Sequence, residues 1–345
     1  MAAIMTMPAL HVWRDPQPQE VAPRLRDFLD ALPGPTHIQL SGRDGSRCRV
    51  AVTLLHGNEP SGLSAVHALL RQGIEPAVDI HLFIVNVQAA RARPLFSHRM
   101  LPGERDLNRC FRAPFTDDSQ GRLAHTLLSC WQALAPEALI DIHNTSGAGP
   151  SFGVVTAIES AHESLVSLFT HRVVMTDLVL GSVMDLNGRF CPVVTIECGG
   201  ARSDESDHTA LIGLTQYVSL ERVLDLAPEN DVIMDYFHHP LRLELVTGAA
   251  VDYGHEVLLV RGVTLSPDLE QLNFNAVAAG TRLGVVTGEL AEVLQATTSE
   301  GDNRLLHFFC LEDDYLVTRV RMKFFMVTNN PEIARTDCLL YFVPA

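Results

Sequence analysis

The sequence predicts an α/β protein: a mostly parallel or mixed sheet flanked by helices over residues 1–228, followed by a smaller β-rich C-terminal domain over 229–345. Three observations predict it. Short aliphatic and β-branched runs alternate with segments of helical period as far as Leu226, the pattern of a largely parallel sheet. Polar residues fall just beyond the ends of those runs, at the edge where open α/β sheets bind ligands. From Leu241 the texture changes to short β-type runs broken by Gly, Asp, Asn and Pro. A chain of 345 residues also exceeds what one hydrophobic core usually serves, which favours two domains.

Taken in order, Cys48 to Leu55 reads as a buried strand that runs into a loop at His56-Gly57. Pro60 suits a first helical turn, Leu63, Val66, His67 and Leu70 recur on one face, and Gly73 stops the pattern. Ile80 to Val87 is a second buried strand. The arginine-rich stretch Gln88 to Pro114 is costly to bury and reads as a working surface loop. Ser119 to Leu134 returns to helical spacing, Ala138 to Ile142 is a strand ending at His143, and Pro192 to Ile196 is a strand ending at Glu197. A helix follows at about Asp207 to Leu226, with the domain boundary expected at Ala227 to Asn230. The second domain is expected to take strands from Leu241 to Val246, Glu256 to Val260, Leu316 to Val327 and Leu339 to Val343.

Composition excludes several classes of function. A formal charge of −15 repels phosphate backbones and anionic lipid surfaces, so neither nucleic acid nor membrane is an expected partner. The seven cysteines are odd in number and contain no C-x-x-C pair, which fits buried thiols in a reducing compartment better than a disulfide scaffold. The N-terminal segment lacks a basic region followed by a long apolar run, and no stretch approaches the roughly 20 apolar residues that span a bilayer. The protein is therefore expected in the cytoplasm. A homo-oligomer is compatible with the sequence.

His56-Gly57-Asn58-Glu59 places an imidazole and a carboxylate three residues apart at a strand-to-helix turn, a spacing that lets both converge on one point. Zinc accepts such N and O ligands, and a catalytic site needs a third from the protein while keeping one position open. His143, at the end of another expected strand, would reach the same sheet edge. Amide hydrolysis then requires a group that takes a proton from water and returns one to the leaving amine. Glu197 is the natural candidate, followed by Gly199-Gly200, whose lack of side chains lets backbone approach a ligand. Arg99 and the run Asp106-Leu107-Asn108-Arg109 add guanidinium groups suited to a carboxylate or to a developing oxyanion, pointing to an anionic substrate.

Together, HGNEPSG at 56–62, Asn86-x-x-Ala89, Arg99-x-x-Pro102 running into DLNR at 106–109, DIHNTSG at 141–147 and TIECGG at 195–200 resemble the succinylglutamate desuccinylase/aspartoacylase family, relatives of zinc carboxypeptidases. The resemblance covers most of residues 45–225 and is fainter at Pro240-Leu241-Arg242 and Leu272-Asn273-Phe274. It implies a carboxypeptidase-like α/β domain with a β-rich domain after it, and one zinc ion per subunit held by His56, Glu59 and His143. It further implies Glu197 as general acid/base, Arg99 polarising the scissile carbonyl, and Asn108 and Arg109 holding a substrate carboxylate. The activity implied is zinc-dependent hydrolysis of a small anionic N-acyl amino acid to a carboxylic acid and a free amino acid. The arginine and tyrosine with which aspartoacylases read the aspartate side chain have no evident counterpart here.

Other motifs give way on context. Gly149-Pro150-Ser151-Phe152-Gly153 matches G-x-S-x-G, but that nucleophile turn needs a strand before it and a helix after it, whereas Val154 to Ile158 reads as extended. Lys323 is the only lysine, which excludes a G-K-[ST] phosphate loop and leaves a Schiff-base cofactor without candidates. His81, His238 and His239 lack partners at metal spacing and read as surface or packing residues. The rival functions are a zinc carboxypeptidase acting on small peptides and a non-catalytic zinc-binding protein on the same scaffold.

Overall fold

A computed structural model describes residues 10–145, 147–226, 233–336 and 338–344. The chain forms two compact units: Met1–Asn144, Ser151–Val173 and Val179–Asp235 make one, and Thr145–Pro150, Val174–Leu178 and Tyr236–Ala345 make the other. The boundary expected at residues 227–230 lies outside the described residues.

The strands β1 (His11–Arg14), β2 (Thr36–Leu40), β3 (Asp44–Thr53), β4 (Val78–Ile84), β5 (Leu139–Thr145), β6 (Phe152–Val155), β7 (Arg172–Met175), β8 (Val193–Gly200) and β9 (Asp235–His238) form one sheet, in the order β1-β2-β4-β3-β5-β8-β6-β7-β9. The sheet is mixed. β3 runs parallel to both β4 and β5, while β2 is antiparallel to β4 and β6 to β8. In the β3–β5 register Thr53 stands opposite Ile142, so the residues that follow both strands emerge at one edge.

The α-helices of the first unit are α1 (Leu25–Ala31), α2 (Ser61–Gln72), α3 (Val87–Arg91), α4 (Ser119–Leu134), α5 (Ser160–Ser167) and α6 (Asp204–Ser219) among the described residues. α2 buries Leu63, Ala65, Val66, Leu69 and Leu70, and its C-cap Gly73 takes a left-handed φ of 64° while its N–H returns to the carbonyls of Leu69 and Leu70. α4 starts where Asp118 accepts a hydrogen bond from Gly121 N–H. α6 starts and ends earlier than the expected 207–226: Asp204, Glu205 and Asp207 suit a first turn, whose exposed N–H groups favour acidic side chains.

The core beneath the sheet edge joins Val50, Val52, Phe83 and Leu139 to Leu107, Phe111 and Trp131. Phe111 stacks on Trp131 with ring centroids 5.5 Å apart. The arginine-rich segment is thus anchored by buried Leu107 and Phe111, each worth about 1.5–3 kcal/mol. Elsewhere on the sheet His37 lies buried against Phe83, and its Nε2 is 2.9 Å from Nδ1 of His81. Burial, then neighbouring His81 and Arg14, lower the His37 pKa to about 4.

The second unit contains β10 (Leu241–Leu245), β11 (Ala250–Tyr253), β12 (Gly262–Leu265), β13 (Ala276–Val277), β14 (Arg282–Thr287), β15 (Leu294–Thr297), β16 (Phe309–Glu312), β17 (Tyr315–Thr318), β18 (Met322–Phe325) and β19 (Leu340–Pro344). They build two five-stranded sheets, β13-β18-β19-β10-β15 and β11-β12-β14-β17-β16. Pairing between these strands is antiparallel apart from the parallel pair β11–β12. Two expectations need correction. Leu316 to Val327 is two strands, β17 and β18, separated by a turn. Glu256 to Val260 is no strand: it links β11 to β12 with Leu259 95% exposed, so its apolar residues find no sheet face to cover.

Candidate metal centre and active site

β3 ends in a sharp turn. Leu54, fully buried, adopts a φ of 54°, an uncommon conformation for a side chain of its size, and its carbonyl accepts from Asn86 N–H at 2.7 Å. Gly57 follows His56 because a Cβ there would stand 2.6 Å from Ala89 Cβ and 2.5 Å from the Ala90 nitrogen. Its N–H donates to the Arg99 carbonyl at 2.9 Å, which joins the turn to the arginine-bearing loop. Gly62, in the first turn of α2, is equally constrained, since a Cβ would fall 2.1 Å from Thr53 Oγ1. Close packing of α2 on the end of β3 therefore places Glu59 above the sheet edge.

His56, Glu59 and His143 are all buried and offer ligand atoms that lie within 4.8 Å of one another. His56 Nδ1 is 2.8 Å from Glu59 Oε1, and His143 Nδ1 is 2.6 Å from Glu59 Oε2. Each imidazole is held from behind by a carboxylate: His56 Nε2 is 2.9 Å from Asp106 Oδ1, and His143 Nε2 is 2.8 Å from Asp141 Oδ2. A carboxylate on the outer nitrogen fixes the tautomer of a metal-binding histidine and raises its basicity. Electrostatics agree with this arrangement. Although burial alone would lower it, Asp141 and Glu59 hold the His143 pKa well above its usual value. Burial would raise Glu59, but His56 and His143 hold it below the carboxylate range; Asp106 is likewise depressed, despite burial, by His56, Arg99 and Arg109. Three anionic carboxylates around two imidazoles form a cluster suited to a divalent cation, and the N, O, N donor set fits zinc.

Glu197 lies within β8, which continues three residues beyond it to Gly200 instead of ending at Glu197 as expected. Its Oε2 is buried and has no hydrogen-bond partner among the described residues, and burial pushes its pKa up to about 7. His143, Glu59, His56 and Arg99 all bear on its ionisation, which places it in the same electrostatic neighbourhood. Arg99 donates from Nε and Nη2 to Asp106 Oδ2, at 3.1 and 2.9 Å, and its Nη1 is 3.5 Å from Glu59 Oε1. Buried Asn108 accepts from Val183 N–H at 3.0 Å, and its own N–H donates to Asp106 Oδ1 at 2.8 Å. Arg109 is exposed and donates from Nη1 to the Asn108 carbonyl.

Motif spacing alone assigns no such role to Asp141 or to Asp106. Asp141 precedes His143 by two positions on one strand, so both side chains share a face; that periodicity is the signal that could have found it. The Asp106–His56 contact spans 50 residues and has no local signature. Ser151 directly precedes β6, which begins inside the G-x-S-x-G string at Phe152, so the serine is followed by a strand and not by the helix that the nucleophile turn requires. Among the described residues no helix is long and apolar enough to cross a membrane.

Residues 52–169 match the family model of the succinylglutamate desuccinylase/aspartoacylase catalytic domain. Among solved structures, the chain is similar to a succinylglutamate desuccinylase from Vibrio parahaemolyticus (12% identity, TM-score 0.57, covering 94% of this chain and 96% of that one). It is also similar to a succinylglutamate desuccinylase/aspartoacylase from Rhodobacter sphaeroides (14%, 0.56, 89% and 87%) and to murine aminoacylase 3 (15%, 0.54, 88% and 97%). At these identities the structural likenesses establish the fold. No curated protein matches the chain in sequence.

Proposed function

From the match of residues 52–169 to the succinylglutamate desuccinylase/aspartoacylase catalytic-domain model, we propose that this protein is a zinc-dependent amidohydrolase that cleaves an N-acyl amino acid into a carboxylic acid and a free amino acid. The observation that carries the reading is the meeting of His56, Glu59 and His143 beside a carboxyl, Glu197, that burial has brought to a pKa of about 7. His56, Glu59 and His143 would hold one zinc ion per subunit, which when bound supplies Lewis acidity to the scissile carbonyl and to water.

The remaining chemistry falls to the chain's own side chains. Glu197 takes a proton from the attacking water and delivers one to the departing amine nitrogen; a group titrating near neutrality can do both. The Arg99 guanidinium, oriented by Asp106, faces the negative charge that develops on the carbonyl oxygen as the tetrahedral intermediate forms. Asn108 and Arg109 bind a carboxylate of the substrate, which favours small anionic substrates of the succinylglutamate or acyl-aspartate type. Seven cysteines free of disulfides support a reducing, cytoplasmic setting.

The test is a zinc-analysed sample of the full chain assayed against a panel of N-succinyl and N-acetyl amino acids, with appearance of free amine as the readout. Release of the acyl acid from at least one anionic member is expected. A protein carrying one equivalent of zinc that cleaves none of them, or that releases only C-terminal residues from peptides, would overturn the proposal.

A further inference from the structure

Asn144, the residue after the ligand His143, makes more hydrogen bonds than any ligand requires, and all of them lead to the elements that carry the other reacting groups. It is 3% exposed. Its backbone N–H donates to Glu59 Oε2 at 3.3 Å. Its side-chain oxygen accepts from Ser61 N–H at 3.0 Å, and its side-chain nitrogen donates to Ser61 Oγ at 2.9 Å and to the Gly199 carbonyl at 3.0 Å. Ser61 is fully buried and in turn donates from Oγ to Asp207 Oδ1 at 2.6 Å.

The chemistry of each link shows why asparagine stands here. Ser61 opens α2, and its N-cap, Pro60, has no side-chain group that can accept from the helix's first N–H groups. Asn144 supplies that acceptor from a neighbouring strand. The same carboxamide needs a donor for Gly199 O, which aspartate lacks, and an acceptor for Ser61 N–H, which lysine or arginine lacks. Gly199 lies two residues beyond Glu197 on β8, and Ser61 lies two beyond Glu59. A single buried side chain therefore ties the start of α2, two residues after the carboxylate Glu59, to the strand that carries Glu197, with α6 attached through Asp207.

We propose that Asn144 is a positioning residue that sets the placement of Glu197 relative to the Glu59 and His143 pair, with Ser61 and Asp207 completing the bridge. This rests on the proposed amidohydrolase reading for its kinetic consequence, but the bridge itself can be read without turnover. Misplacement of a reacting group by about 1 Å can cost about a hundredfold in rate, so the expected effect falls on kcat rather than on KM.

The experiment uses the full chain as wild type, Asn144→Ala, Ser61→Ala, Asp207→Ala and the Asn144→Ala/Asp207→Ala double variant. At one equivalent of zinc per chain, Asn144→Ala is expected to lower kcat by about 30-fold or more with KM changed by less than about threefold. Asp207→Ala is expected to lower kcat by a smaller factor and to add nothing in the Asn144→Ala background, since both act through one network. Hydrogen exchange on the zinc-free proteins provides the readout without turnover: in Asn144→Ala, residues 61–62 and 198–201 should both exchange about tenfold faster or more. Faster exchange at 61–62 alone would reduce Asn144 to a helix cap and overturn the proposal. So would a kcat within twofold of wild type, full additivity in the double variant, or complete recovery of kcat by excess zinc. If Asn144→Ala does not fold, Ser61→Ala is read by the same criteria. Should the wild type cleave no N-acyl amino acid, the functional reading fails by itself, and the exchange pattern still decides whether the bridge exists.

Discussion

Replacing Asp141 with asparagine tests how far the cation affinity depends on the carboxylate behind His143. Asp141 is fully buried, its Oδ2 lies 2.8 Å from His143 Nε2, and its Oδ1 has no hydrogen-bond partner among the described residues. The substitution keeps the shape and an acceptor but removes the charge. A hydrogen bond to a charged group contributes about 1.5–3 kcal/mol and a neutral one about 0.5–1.5 kcal/mol, so about 1–1.5 kcal/mol is lost from the force that orients the imidazole. Since 1.4 kcal/mol is a factor of ten, zinc should bind about tenfold more weakly, at the lower edge of the range typical of outer-shell changes. The new amide nitrogen also takes the place of an oxygen that has no partner, which should destabilise the fold by about 1–3 kcal/mol. Competition against a chromogenic chelator at fixed pH measures the zinc term, and urea unfolding of the zinc-free protein measures the other. A zinc Kd within twofold of wild type, or tighter, would refute the view that Asp141 orients the ligand.

Four further outcomes follow from the same geometry. Glu197→Gln should keep one equivalent of zinc by metal analysis while acyl-acid release falls by about 10²–10⁴-fold. His143→Ala should lose both metal and turnover, and a full equivalent of zinc in that variant would contradict its place among the ligands. Gly62→Ala, whose Cβ would meet Thr53 Oγ1 at 2.1 Å, should destabilise the protein by about 1–3 kcal/mol in urea unfolding. His37 stays neutral in the fold down to about pH 4 but protonates near 6.5 when unfolded, so below pH 6.5 the unfolded chain binds the extra proton and stability falls until about pH 4. His37→Phe should remove about 2–3 kcal/mol of that fall, measured as the change in unfolding free energy between pH 7 and pH 4.

The sheet and its ligand-bearing edge were legible because they rest on local periodicity: the runs that became β3, β4, β5 and β8 are aliphatic, and His56 and His143 follow closely on two of them. α4 matched its expected limits because Asp118 and Ala135 bracket a clear helical stripe. What stayed hidden depends on contacts between distant residues. Neither Asp106 behind His56 nor the Ser61–Asp207 link of 146 residues leaves a mark in a short window. Glu256 to Val260 failed for the opposite reason: its composition favours a strand, but strand propensity measures fit to a half-buried surface, and this segment has none.

The division of the chain has a consequence for how the protein can be made. Thr145–Pro150 and Val174–Leu178 belong with the C-terminal unit although both precede the last segment of the first. Asn273, far downstream, bonds through its side chain to the Ala148 carbonyl and to Val327 N–H, so these early residues wait for late ones. A nascent chain halted near residue 235 therefore holds two stubs whose neighbours have not yet been synthesised, and the first begins immediately after Asn144. The two halves are not cassettes to be cut apart and exchanged: a chimera that swaps everything after residue 235 would leave Thr145–Pro150 and Val174–Leu178 with mismatched partners inside their own unit.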